Sequence, residues 1–194
     1  SYFIPKVITS NSISGINSHK NKGFKNIFEY IPNGCDPNIF YNDIKTQSKI
    51  RNKYNIKEGE IVIGMCSRWD IQKNHECFFK SLKIIKNQYS IPFKIILIGD
   101  GINTNNQQLL AMLLKYQLRN EVIILSQTTD IKDIYNAIDL NVLTSNVEGF
   151  PNVLIESMFC GTHSKSTPNG IYNNIDKDSD CYEKREIEVV EFKG

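Results

Sequence analysis

Two glutamates, Glu148 and Glu156, bracket a Gly-Phe-Pro-Asn turn in the run SNVEGFPNVLIESMFCGT, residues 145–162, and the stretch after the turn has the apolar spacing of a buried helix. A carboxylate set beside apolar residues needs donors to accept from, and the vicinal hydroxyls of a ribose or a hexose are such donors. Pro151 suits a first helical turn, where its missing N–H costs nothing, so the amides around Asn152, Val153 and Leu154 are expected to be free and to form an anion site. Earlier in the chain, SRWDIQKN offers Arg68, a planar fork of donors, and Lys73, a mobile point charge. Facing a helix N-terminus, this pair could clamp a diphosphate and stabilise it as a leaving group. Glu156 sits beside the stripe Leu154, Ile155, Met158 and Phe159, and helical side chains lean toward the N-terminus, so its carboxylate is aimed at the same clamp and suits ribose. Glu148, at the lip ahead of the helix, suits hydroxyls on whatever the diphosphate carries.

For these groups to meet, the chain must bring residues 68–73 and 148–156 together. Four short Ile/Val-rich runs, EIVIGMCSRW, PFKIILIGDG, EVIIL and DLNVLTS, alternate with stretches of helical periodicity, HECFFKSLKIIKNQY, NQQLLAMLLKYQL and DIKDIYNAI. Continuous apolar strands between amphipathic helices predict an α/β fold with a doubly wound parallel sheet covered on both faces. In the common strand order 3-2-1-4 the first and fourth strands are neighbours where the winding reverses, and ligands bind beyond their carboxyl ends. The Arg/Lys loop follows the first of these strands and the glutamate segment follows the fourth.

The flanks read differently. KVITS predicts a strand, NSISGINSHKNKG a short polar helix ending at Gly23, and NIFEYIPNGCD a second strand closed by the Asn33-Gly34 turn. Residues 163–194 are polar and turn-rich. HSKST is not expected to supply a fifth strand, residues 164–185 are expected to be irregular, and only EIEVVEF resembles a strand that could occupy the vacant edge. The opening on Ser1, running straight into KVITS, suggests a start inside a longer protein.

Composition narrows the partners. Among 194 residues, 23 Lys+Arg against 21 Asp+Glu leave a net charge of +2 with no basic stripe, so a nucleic-acid partner is not indicated. Five cysteines without a C-x-x-C pair argue against a disulfide framework and a zinc site, and fit a reducing cytoplasm. No apolar run of membrane-spanning length and no signal peptide are read. His75 reads as a helix-start residue, and none of the three histidines as a catalytic base. Trp69 could stack on a base or pack at the loop edge, and Gly99-Asp100-Gly101 reads mainly as a tight strand-to-helix turn.

Together these segments resemble the retaining glycosyltransferases of family 4, which have the two-domain GT-B fold. EGFPNVLIESMFCGT is similar to the family's E-x7-E segment, GMCSRWDIQKNHECFFKSL to its Arg/Lys loop and following helix, IILIGDG to its second C-domain strand and YIPNGCDPNIF to its interdomain linker. The resemblance implies residues 1–40 as the end of an N-terminal domain plus linker, 41–162 as a Rossmann-like nucleotide-sugar-binding domain, incomplete at its C-terminal end, and 163–194 as a divergent polar tail. It implies catalytic contacts from Glu148, Arg68 and Lys73, a ribose contact from Glu156, and a phosphate end lined by Gly149, Phe150, Pro151, Asn152, Val153 and Leu154. The implied donor is a nucleoside-diphosphate sugar, used without metal or cofactor. The implied acceptor is a glycan or lipid-linked sugar at the cytoplasmic face of the membrane, reached by peripheral association. A binding module that keeps the crevice without turnover is the alternative, and the chain alone is expected to be inactive because one wall of the cleft is missing.

Overall fold

The computed structural model describes residues 5–125, 130–167 and 188–189. At the N-terminus β1 (Val7–Ser10), α1 (Ile13–Asn21) and β2 (Ile27–Tyr30) form a small parallel β-α-β unit. The chain then enters α2 (Ile44–Lys53) and alternates through β3 (Ile61–Cys66), α3 (His75–Gln88), β4 (Phe93–Ile98), α4 (Gln107–Lys115), β5 (Val122–Leu125), α5 (Ile131–Ala137), β6 (Leu140–Leu143), α6 (Asn152–Phe159), β7 (His163–Ser166) and β8 (Glu188–Val189). The second sheet is six-stranded and parallel in the order β5-β4-β3-β6-β7-β8, so the expected 3-2-1-4 arrangement of its first four strands is present.

Helix starts are set by short polar side chains. Ser12, Asp43, Asn74 and Asn106 each accept a hydrogen bond from a backbone N–H in the first turn of α1, α2, α3 and α4, satisfying donors the helix cannot pair itself. The α2 helix was not anticipated. Its mean hydropathy is low, and the signals for it are the Asp43 cap, the buried Ile50 and the basic last turn of Arg51 and Lys53.

Period-two alternation along β3 and β4 builds two cores, one on each face of the sheet. Ile63, Met65, Ile95 and Leu97 pack with Phe78, Phe79 and Leu82 of α3 and with Leu109 and Leu113 of α4. Val62, Cys66, Ile96 and Ile98 pack with Ile50, Ile134, Tyr135 and Ile138 on the other face. Gly64 is the one residue of β3 facing Ile138 too closely for a side chain, since a Cβ there would lie 2.4 Å from Ile138 Cδ1.

The fifth strand, expected to be missing, is present. HSKS forms β7, paired with β6 from Leu140↔His163 to Leu143↔Ser166. The reason it escapes an apolar search is chemical: Ser164 and Ser166 are the buried positions. Ser164 Oγ lies 3.0 Å from Ser157 Oγ, and Ser157 Oγ also donates to Leu154 O at 2.9 Å and lies 3.1 Å from the Asn141 amide nitrogen. A hydroxyl network joining Ser157 and Ser164 therefore replaces the apolar face by which such strands are recognised. Two residues of EIEVVEF, Glu188 and Val189, pair with β7 at Lys165 and Ser166, rather than with β6. The remainder of the expected irregular tail lies outside the described residues.

Ser157 links β6, α6 and β7, so Ser157→Ala should leave buried partners short of a hydrogen bond and lower stability by about 1–3 kcal/mol. Urea unfolding measures this, and an unchanged midpoint would mean that the network contributes nothing to joining the sheet edge.

Candidate functional site

The crevice lies where β3 and β6 run side by side, with Ile63 opposite Leu140 and Gly64 opposite Asn141. The loop leaving β3 is laid against the end of β4: Ser67 N donates to Ile98 O at 2.9 Å and Trp69 N to Asp100 O at 2.7 Å. A Cβ on Gly99 would come within 2.1 Å of Ser67 O, and one on Gly101, at φ +73°, within 2.9 Å of Trp69 Cβ. The two glycines of GDG thus let the strands' ends close up and fix the loop carrying Arg68.

The same loop is tied to the one leaving β6. Thr144 Oγ1 lies within hydrogen-bond distance of the carbonyls of Lys73 (3.1 Å) and Asn74 (3.0 Å), Asn146 N donates to Gln72 O at 2.8 Å, and Asn74 Nδ2 to Asn146 Oδ1 at 3.1 Å. Behind the loop, buried His75 places Nε2 3.3 Å from Ser67 Oγ and its ring 4.6 Å from that of Trp69. Trp69 therefore packs at the loop edge, and its indole donates to Gln108 Oε1 at 3.3 Å.

Between the strand ends is a pocket of about 260 Å³, whose wall includes Ser67, Arg68, Gly99, Tyr135, Val153 and Glu156. Arg68 is exposed over it, its Nε 3.5 Å from Asp70 Oδ2. Glu156 Oε2 accepts the Tyr135 hydroxyl at 3.0 Å. Lys73 and Glu148 do not line this pocket. They form an ion pair with each other, both largely buried, between the two tied loops.

The structure therefore separates the expected site residues into two groups. Arg68, Glu156 and Val153 share the pocket, whereas Lys73 and Glu148 meet beside it. Of the amides expected to be free, two are not: Asn152 N donates to Phe150 O and Leu154 N to Pro151 O, both at 3.0 Å. The cause is Pro151, which stands at the N-cap with ψ 70° instead of inside the first turn and curls the chain back on itself. Gly149 and Asn152 lie under the N-terminal unit. A Cβ on Gly149 would be 3.6 Å from Asn11 Oδ1, and Asn33 Nδ2 donates to Asn152 Oδ1 at 3.0 Å.

Burial sets the protonation of the pocket floor. It raises the Tyr135 hydroxyl and the Cys66 thiol well above their ordinary values, with the Glu156 charge adding to both. Cys160 is pushed up to about 12, again chiefly by burial. The floor thus offers neutral donors and no thiolate nucleophile. Tyr135 and Ser67 were not singled out as site residues from the sequence, and Gly99 reads there mainly as part of a tight turn. Tyr135 lies in the apolar stripe of its helix and gives no sign there that its hydroxyl reaches a carboxylate. Among the described residues no group of three or more His, Cys, Asp or Glu side chains could hold a metal ion, and no helix is long and apolar enough to cross a membrane.

Known proteins with related sequences or structures bear on this crevice. The model of the family described as glycosyl transferases group 1 matches residues 46–179. An Escherichia coli UDP-Gal:α-D-GlcNAc-diphosphoundecaprenol α-1,3-galactosyltransferase is 30% identical over 138 residues, covering 68% of this chain and 34% of that protein. The N-acetyl-α-D-glucosaminyl L-malate synthase of Bacillus anthracis is 26% identical over 161 residues, covering 80% of this chain and 39% of its own length. The chain thus spans little more than a third of these relatives. Among solved structures, Anabaena HepE in complex with UDP-glucose superposes with a TM-score of 0.77 at 24% identity, covering 87% of this chain and 46% of that one. The C-terminal domain of the Francisella tularensis group 1 protein LpcC superposes with a TM-score of 0.63 at 21% identity, covering 82% and 81%. The fold is that of the C-terminal domain of GT-B glycosyltransferases.

The buried imidazole behind the Arg68 loop generates a pH prediction. Burial, with the nearby Lys73 charge, pushes His75 down to about 4. Between that value and the ordinary one near 6.5 the unfolded chain binds more protons than the folded one, so stability rises with pH through the window and is lost as pH falls. The loss should reach about 3 kcal/mol between pH 6.5 and 4. Denaturant unfolding of the wild type and of His75→Gln across this range should show a shallower slope in the variant, and parallel slopes would show that His75 titrates normally.

Proposed function

The chain belongs to the glycosyl transferases of group 1, and on that premise we propose that it is the donor-binding half of a retaining, family 4 enzyme that moves a sugar from a nucleoside-diphosphate donor to a glycan or lipid-linked acceptor. The observation that carries this reading is the pocket at the reversal point of the sheet, which combines an exposed guanidinium, Arg68, with a carboxylate, Glu156. A nucleoside diphosphate is the ligand whose two ends match them. Arg68 takes the diphosphate in a forked contact, and Glu156 takes the ribose hydroxyls.

Lys73 and Glu148 then serve the transferred sugar and the phosphate next to it. An ammonium has three protons to donate, so Lys73 can hold a phosphate oxygen while keeping Glu148, whose carboxylate accepts from the sugar hydroxyls. As the glycosidic bond breaks, charge accumulates on the departing diphosphate. The cationic side chains meet it without a metal ion or cofactor. Residues 149–154 form the turn over which the phosphate end lies. The acceptor, by likeness to the Escherichia coli relative, is a sugar carried on a lipid diphosphate, and the reaction belongs at the cytoplasmic face of a membrane, met peripherally. Residues 1–40 are the end of the other domain and its linker.

Each charge-assisted contact contributes on the order of 1.5–3 kcal/mol, so Arg68→Ala should weaken nucleoside-diphosphate binding by at least tenfold. Titration calorimetry with UDP, GDP and ADP tests this; equal affinities in the wild type and a folded variant would take Arg68 out of the site. The 194 residues alone are expected to bind donor but not to transfer it efficiently. Holding two reactants in attack geometry is worth roughly 7–11 kcal/mol, and the acceptor-binding wall belongs to the other domain. Efficient transfer from a radiolabelled nucleotide sugar by this chain alone would locate the active site elsewhere.

A further inference from the structure

We propose that Tyr135 is a positioning residue that makes the pocket selective for ribose over deoxyribose, because its buried hydroxyl holds one oxygen of Glu156 and leaves the other to the ligand. The inference rests on the reading of Glu156 as the ribose contact and goes beyond it. The bare sequence suggests a carboxylate with both oxygens available to two vicinal hydroxyls. In the structure Oε2 already accepts the phenol at 3.0 Å, so Oε1 is the oxygen with both acceptor positions open.

Tyr135 is well fixed to do this. It is 1% exposed, its ring packs against Phe40 of the linker with centroids 6.2 Å apart, and its backbone carbonyl accepts from Thr162 Oγ1 at 2.7 Å. Burial keeps the hydroxyl protonated throughout the physiological range, so it is always a donor to Glu156 and never a competitor for the ligand's protons. Pinning Oε2 removes the rotation of the carboxylate about its last bond. Oε1 is left with both acceptor positions, one for each vicinal hydroxyl. A ligand without its 2′-hydroxyl leaves one of those positions unmet in a half-buried site where the carboxylate cannot turn to recover it. An unpinned carboxylate could turn, and would discriminate less. Discrimination against a missing hydroxyl is strong when the site's own polar group is held fixed and left unpaired.

The test compares affinities of UDP, GDP and ADP with those of their 2′-deoxy counterparts, using inorganic pyrophosphate as the probe that lacks ribose. The wild type should prefer the ribonucleotide by at least tenfold. Tyr135→Phe, which keeps the ring volume, should reduce that preference at least threefold while pyrophosphate affinity is unchanged, a pattern that general loosening of the pocket would not produce. In a Glu156→Gln background the Phe substitution should have no further effect on the ratio. Should Tyr135→Phe not fold, Tyr135→Met, which fills the space without a hydroxyl, is read in the same way. A wild-type preference that survives loss of the hydroxyl overturns the role of Tyr135 and leaves the ribose reading of Glu156 standing. Absence of any preference in the wild type overturns the ribose reading itself, and the proposal with it.

Discussion

Right-handed crossovers force the helices that leave β3 and β6 onto opposite faces of the sheet, and everything at the site depends on that divergence. Once α3 covers one face and α6 the other, no helix can cover the ground above the carboxyl ends of the two neighbouring strands. The gap is a consequence of topology, and it persists whatever side chains line it. The two cores exist for the same reason. Strands buried on both faces need apolar residues on both, and β3 and β4, apart from Gly64 and the half-buried Lys94, supply them alternately to α3/α4 and to α2/α5.

An open gap does not by itself hold side chains in place, and the loops that rim it are short of apolar anchors. They are fixed by backbone hydrogen bonds instead. The Thr144 hydroxyl reaches two carbonyls of the opposite loop, the Asn146 amide a third, and Gly99 allows the β3 loop to lie directly on the end of β4. Behind them sits a neutral, buried histidine against Trp69 and Ser67. This arrangement trades stability in acid for a rigid rim, since the imidazole must stay uncharged for the loop to pack as it does.

What could be read from the sequence, and what could not, divides along physical lines. Strand order, the crevice and the meeting of residues 68–73 with residues 148–156 follow from apolar periodicity and the handedness of crossovers, both local or generic properties. The β7 strand was hidden because its buried face is built from serines: Ser164 is paired through a hydroxyl network visible only in three dimensions, and Ser166 donates to the Thr167 carbonyl. The α2 helix was hidden because a helix resting on the surface by Ile50 has little periodicity to show. The amides of Asn152 and Leu154 were expected to be free from the presence of Pro151, yet a proline at the N-cap, one position earlier than expected, curls the turn so that they are satisfied. Spacing places a group on an element; partners are chosen by tertiary structure.

The two glutamates show this most plainly, because their partners differ in charge. Glu148 is paired with a cation, Lys73, and Glu156 with a neutral phenol. The first pair is electrically balanced before any ligand arrives, so a diphosphate approaching Lys73 must share its protons with Glu148, and the sharing costs least when a sugar hydroxyl takes up part of the carboxylate's demand. A bare diphosphate offers no such hydroxyl. The second carboxylate is met by a neutral donor at Oε2 and lines the pocket. Under the proposed function, the unlike partners favour a ligand with hydroxyls at both ends of a diphosphate over the diphosphate alone, a demand made by electrostatics beyond any matching of shape.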